Sequence, residues 1–362
     1  MHETTLHFRL SMSVLFVAAS VLGQETRASG ADEIRAFRKD YTEALMARQD
    51  PEFATSEESA AIRSDPARNP DLRFLPRAAA LARKHRGIRE AVETWVFVLE
   101  SSSCLPPAER APLVKEAVAA IKERVTEPWC STAVRSVADQ RAVIGATDAA
   151  AVLEAARKST HTATVGEALL GLARLQSDRG DAAGREAAKK LLTEAAEKHG
   201  KTKDYLGAVK DRAAARMAAI DLLQVGRPLP AFEAKTADGA DVSSGALKGK
   251  VVVICFWWHH DTEFLSAKKR LAALYTKSSA KGLSLIGAVT PSEPSESIVK
   301  RMKLEGVEWP QLGDPFGAEL AARWGPETYG MHFVVADRKG VVRRVGFGVD
   351  AAIKAAEAAL AE

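Results

Sequence analysis

Two hydrophobic rhythms divide this chain. From Ala31 to about Leu223, apolar residues recur every three or four positions in an alanine-rich background, the spacing of amphipathic helices. The runs Arg77–Lys84 and Ile88–Leu99 predict one helix pair. Leu113–Val125, Val152–Lys158, Val165–Leu175, Ala187–His199 and Val209–Leu223 predict further helices. Ser102-Ser103, Pro106-Pro107, Asp181 and Gly200 punctuate them as turns. Helices placed in series imply an α-helical array of the HEAT or TPR type, with no period visible in the sequence. The polar stretch from Asp50 to Asp71 predicts a loop or extended connection.

The rhythm changes at Gly226-Arg227-Pro228-Leu229-Pro230, where two prolines end the helical pattern and mark a linker. Val251–Trp257 (VVVICFW) is a continuous apolar run, the pattern of a strand buried on both faces. Thr262–Tyr275 has the spacing of an amphipathic helix. Leu283–Val289 predicts a second buried strand, and Pro294–Leu304 and Ala318–Trp324 predict helices. Met331–Ala336 and Val341–Phe347 predict two strands joined across Asp337-Arg338-Lys339-Gly340, and Ala351–Leu360 a closing helix. Strands alternating with helices argue for an α/β sheet. The predicted organisation is a helical domain over residues 31–224 and an α/β domain over 225–362.

The N-terminus adds a location. Ser13–Gly23 (SVLFVAASVLG) is apolar but too short to span a bilayer as a helix, and Arg9 precedes it. Val21-Leu22-Gly23 offers a cleavage site, with Ala28-Ser29-Gly30 as a second candidate. The pattern predicts a secretory signal peptide over residues 1–23, a mature form without a transmembrane span, and a periplasmic or extracellular location. A disordered leader or an uncleaved anchor is the alternative. The net charge of +4 over 362 residues, with no basic run interleaved with aromatics, argues against nucleic acid as a partner. Only three cysteines exist, Cys104, Cys130 and Cys255, and none forms a CxxC pair. In an oxidising compartment Cys104 and Cys130 can form a disulfide, which would stabilise by about 3–4 kcal/mol in the chain-entropy picture. Two separate buried thiols are the other reading.

The segments Val225–Phe232, Asp238-Gly239, Leu247–Val253 and Phe333–Val342, taken in order, resemble the thioredoxin-like TlpA and AhpC/TSA (redoxin) group. The helical region before them is similar to extensions that precede such domains in exported bacterial redoxins, notably planctomycete ones. The resemblance implies a thioredoxin-like fold and thiol–disulfide exchange or peroxide reduction. It also implies an active site reading F-W-x-x-W-C-x-x-C after the central strand, and a cis-proline before the third buried strand. Here that stretch reads Phe256-Trp257-Trp258-His259-His260-Asp261-Thr262-Glu263-Phe264. Asp261 takes the place of the nucleophilic cysteine, Phe264 that of the resolving cysteine, and Met331 (or Gly330) that of the cis-proline.

Disulfide exchange needs a thiolate at a helix N-terminus and a second thiol to release the mixed disulfide. A carboxylate at position 261 can cap the following helix but supplies no sulfur. A non-proline residue at 331 predicts a trans peptide before it. Cys255, inside the apolar strand, reads as a core thiol rather than a peroxidatic one. His259, His260 and Asp261, with His332 approaching them, form a candidate metal site. A polar loop with two surface histidines is the alternative. The expected function is that of a redox-inactive thioredoxin-fold binding module with a protein partner in the cell envelope and no cofactor. Redox activity typical of the family, or a metal-binding module, are the other possibilities.

Overall fold

Proline and asparagine set the start of the helical array. The computed structural model describes residues 28–48, 56–204, 206–257, 262–289, 294–324 and 331–362, so the expected leader over residues 1–23 lies outside the described residues. Helix α1 (Ala28–Met46) and the short α2 (Ser56–Ser64) come first. Then follow α3 (Pro70–Lys84), α4 (Arg89–Ser101), α5 (Pro107–Arg124), α6 (Ser131–Asp139), α7 (Arg141–Ile144), α8 (Ala146–Ala156), α9 (Thr162–Ser177), α10 (Ala182–His199) and α11 (Val209–Leu222).

Helices α3, α5 and α8 begin well before the expected residues. The interiors of α3 and α5 contain Pro76 and Pro112, which the hydrophobic pattern treats as breaks. Each follows a first proline, Pro70 or Pro107, and it is this first proline that stands where a missing N–H costs nothing. The Asn69 side chain accepts from the Asp71 N–H and caps α3. The expectation of a loop over Asp50–Asp71 is corrected by α2 and by the start of α3 at Pro70. Helix α2 escaped the pattern because Ile62 is its one large apolar residue, so it has no periodic face to read. The array also holds a two-strand hairpin, β1 (Lys203–Asp204) with β2 (Gly207–Ala208), in the turn expected after Gly200. Asp204 organises it, accepting from the Leu206 N–H and from Arg135 of α6.

A period emerges in space. The first helices of the pairs α3–α4, α5–α6, α8–α9 and α10–α11 start at residues 70, 107, 146 and 182, spacings of 37, 39 and 36. Ion pairs join residues 37 apart: Arg77 with Asp40, Arg86 with Glu123, Arg141 with Asp178 and Arg157 with Glu194. Neighbouring helices in the series pack on each other, and α9 also packs on α6. Alanine and glycine make this close approach possible. A Cβ added at Gly171 of α9 would lie 2.8 Å from the Ala138 Cβ of α6 and 3.0 Å from a Leu153 methyl. One core runs from Phe37 through Leu99, Ile121 and Val134 to Leu172, and a second joins Leu169, Leu192 and Val209.

The C-terminal domain is built on a five-stranded sheet of β5 (Val251–Trp257), β6 (Leu283–Val289), β7 (Gln311–Leu312), β8 (His332–Ala336) and β9 (Val342–Phe347), in the order β7-β6-β5-β8-β9. Strand β5 runs parallel to β6 and antiparallel to β8. A hairpin of β3 (Glu233–Lys235) and β4 (Asp241–Ser243) precedes the sheet. The helices are α12 (Thr262–Ser278), α13 (Ser295–Glu305), α14 (Phe316–Trp324) and α15 (Val349–Ala361). All seven residues of β5 are buried. Val251, Val253, Cys255 and Trp257 face the core shared with α12, α13 and α15, whereas Val252, Ile254 and Phe256 face the core shared with α14.

The two parts are joined by more than the chain. Leu223, just after α11, enters the α14-side core, and α11 packs on α14. The linker lies on the sheet: Gly226 N–H donates to Val342 O (2.7 Å), Val342 N–H to Arg227 O (2.8 Å) and Leu229 N–H to Gly340 O (2.7 Å). The Arg141 guanidinium of α7 stands 5.2 Å from the Phe347 ring of β9.

Among the described residues no helix is long and apolar enough to cross a membrane. Filling the α6–α9 contact should be costly: Gly171→Val is expected to lower the free energy of unfolding by about 2 kcal/mol through overpacking, read by urea denaturation. A second prediction comes from the seam between α4 and α6. There the Glu100 carboxylate accepts from the Ser136 hydroxyl (2.9 Å). Burial pushes its pKa from 4.5 up to about 7, and the nearby Asp139 adds to the rise. The folded chain therefore binds this proton more tightly than the unfolded one. The stability it contributes is full below pH 4.5 and is lost as pH rises through 7. Glu100→Gln should abolish a loss of about 3 kcal/mol between pH 4.5 and 8, measured by denaturation across that range.

Candidate functional site

The expected redox position lies where β5 hands over to α12. Residues 258–261 are outside the described residues, so the metal candidates His259, His260 and Asp261 and the capping role of Asp261 are too. Phe264 lies in the first turn of α12. Gly330 is likewise outside, and with it the peptide bond expected to be trans before Met331. The described residues form the floor of the site.

Met331 is 1% exposed and packs in one core with Trp257, Ala267 and Leu271, on the α12 face of the sheet. Below it runs a polar strut. The Trp257 indole N–H donates to Gln311 Oε1 (2.9 Å), and Gln311 Nε2 donates to the Trp309 carbonyl (3.1 Å). Gln311 is buried on the edge strand β7, and its side chain lies across Gly287 of β6, where a Cβ would sit 1.8 Å from Gln311 Oε1. A glycine here is a steric requirement. This strut was not anticipated from the sequence. Its signal was present: a glycine inside the otherwise buried run Leu283–Val289 marks a close approach by another group.

The residues that His332 is expected to approach lie outside the described residues, and the structure gives the surroundings of His332 on the sheet. Side chains alternate along a strand, so His332 faces away from Met331 and Phe333. It pairs with Phe256 across the β5–β8 ladder and shares that residue's face. Its ring meets Phe347 edge-on, with centroids 5.4 Å apart, and lies 6.3 Å from the Phe256 ring. The imidazole is therefore held in an aromatic layer on the α14 side, across the sheet from α12. Among the described residues no three His, Cys, Asp or Glu side chains stand close enough to hold a metal ion.

The three thiols lie elsewhere. Cys255 is 1% exposed in the middle of the sheet. Cys104 and Cys130 are free thiols rather than a disulfide. Cys130 Sγ donates to the Arg124 carbonyl (3.0 Å), and Cys104 Sγ accepts from Asn69 Nδ2 (3.5 Å). Burial pushes the Cys130 thiol up to about 12 and raises that of Cys104. Both are thus poor sources of thiolate. The expectation left these two cysteines open between a bridge and separate thiols, and the structure holds them as separate thiols, each with its own hydrogen-bond partner.

The family model described as Redoxin matches residues 224–360. No curated protein is similar enough to the chain to be matched. Among solved structures, a thiol:disulfide interchange protein of the thioredoxin family from Chlorobium tepidum is 23% identical, covering 37% of this chain and 97% of that one at a TM-score of 0.34. The thioredoxin domain of a thiol-disulfide oxidoreductase from Bacteroides vulgatus is 20% identical, covering 38% of this chain and 97% of that one at 0.34. A thiol:disulfide interchange protein from a Bacteroides species is 20% identical, covering 39% and 92% at 0.34.

The strut makes a separable prediction. Gln311→Leu removes the acceptor of a buried indole N–H and should destabilise the chain by about 1–3 kcal/mol, with a shifted Trp257 fluorescence maximum. Trp257→Phe added to Gln311→Leu should recover part of that loss, as measured in a double-mutant cycle.

Proposed function

We propose that this chain, an all-helical region followed by a distant thioredoxin-like redoxin domain, is an exported binding protein in which that domain is an interaction module without redox chemistry. The observation that carries the reading is the whereabouts of sulfur. The chain has three cysteines. Two lie in the helical array, and the third is sealed inside β5. Asp261 and Phe264 occupy the aligned positions of the attacking and resolving thiols. A carboxylate cannot form a mixed disulfide, and no second thiol stands by to resolve one.

Other features support the binding role. The sheet, with α12 and the Met331 floor, keeps the architecture on which redoxins receive substrates, while the catalytic atoms are missing. The array adds a second surface, since serial helix pairs present extended faces suited to protein partners. The apolar segment Ser13–Gly23 supports export to the cell envelope, which is where a protein partner is proposed.

The test is an insulin-disulfide reduction assay with dithiothreitol as reductant. The wild-type chain should reduce insulin no faster than the buffer control, and Cys255→Ser should change nothing. The triple variant Asp261→Cys, Phe264→Cys, Met331→Pro should gain activity over wild type. Wild-type activity that disappears in Cys255→Ser would overturn the proposal.

A further inference from the structure

Helix α2 is a poor helix by its own sequence. Its nine residues, SEESAAIRS, carry one large apolar side chain. Isolated helices of this length are marginal in water, so its order must come from what it packs on. That neighbour is α12 of the C-terminal domain, the element with which α2 makes its principal contact. Ile62 is 4% exposed and is the only buried side chain described in α2. The Glu57 carboxylate, in the first turn, lies 3.5 Å from Lys269 Nζ on α12. At the other end, the carbonyl of Arg63 accepts from Asn69 Nδ2 (2.7 Å), the same buried asparagine that caps α3.

The C-terminal end of α2 is therefore fastened to the array, and its first turn is paired with α12. Lys269 is seven residues into a helix that starts at Thr262, about 10 Å along its axis from the segment that holds Asp261. The array thus reaches the C-terminal domain from both sides of the sheet, through α11 and Arg141 on one side and α2 on the other.

We infer that α2 is an intramolecular strap on the flank of α12, and that this flank becomes available to a partner only when the strap lifts. The contact is built to be reversible. The described part of α2 buries one apolar side chain, Ile62, and its named link to α12 is an exposed ion pair, a kind that contributes little. The partner chemistry is set by what α2 presents: a short helix with an acidic first turn and a single branched apolar residue five positions after Glu57. The inference rests on the binding-module reading only for its purpose. The strap itself is tested without any partner, so its failure is separate from failure of that reading.

The experiment is amide hydrogen exchange on the full chain carrying Ile62→Asp. Amides of α12 from Ala267 to Ser278 should exchange about tenfold faster than in wild type, while those of α9 and α10 keep their protection. Unchanged α12 protection in a variant whose α2 amides have become unprotected overturns the strap. A charge-reversal cycle guards against a variant that fails to fold. Glu57→Lys and Lys269→Glu should each speed exchange in α12, and the double variant should restore it. Two single effects that simply add, with no restoration, also overturn it.

Discussion

The C-terminal domain depends on the burial of β5 on both faces. Seven consecutive buried residues without a charged side chain leave no face for water, so each face must be covered by its own layer. Alternation then decides which side chains go where. Cys255 and Trp257 are committed to the α12 side and Phe256 to the α14 side. The same rule, carried across the ladder to β8, separates Met331 from His332 by the thickness of the sheet. The chemistry open to the site follows from this parity more than from the identity of any one residue.

The array answers to a different constraint. Its helices are rich in alanine, so they approach closely and bury little surface per residue, and their cohesion depends on many small contacts. Arginine–carboxylate pairs link its helices, several of them between residues 37 apart. Partly buried ones include the bidentate pair of Arg212 with Glu167 (2.5 and 2.9 Å) and the pair of Arg174 with Asp139. Such pairs fix register between helices more than they add stability. Glu100 is the exception, a carboxylate facing a hydroxyl where its neighbours face guanidinium groups.

How much of this was legible depended on the kind of signal. Four of the five strands of the C-terminal sheet were readable because an apolar run with turn residues at both ends has few other solutions, and β6 was expected over the residues it occupies, Leu283–Val289, whereas the two-residue β7 is too short to leave a pattern. Helix starts were not readable where Pro76 and Pro112 sit inside helices, because a proline looks like a stop until the first proline of the same helix is recognised. The repeat was invisible because it resides in spacing and charge pairing rather than in repeated words. Helix α2 was invisible because its order comes from another domain. At the site, the loss of both thiols could be read directly from residue types. The position of His332 could not, since the alignment gave its place in the chain and only strand parity gave its direction. The Gln311 strut left one trace, Gly287.

The linker has a wider consequence. Strand β9 forms one edge of the sheet, and an exposed edge is a template for pairing with any other extended chain. Residues 226–229 take up main-chain groups at the start of that edge. The connector is therefore no tether about which two bodies swing, but a short stretch of protective hem. Lengthening it with a flexible insert would free the helical region to wander and would also unseal a margin along which separate molecules could zip together.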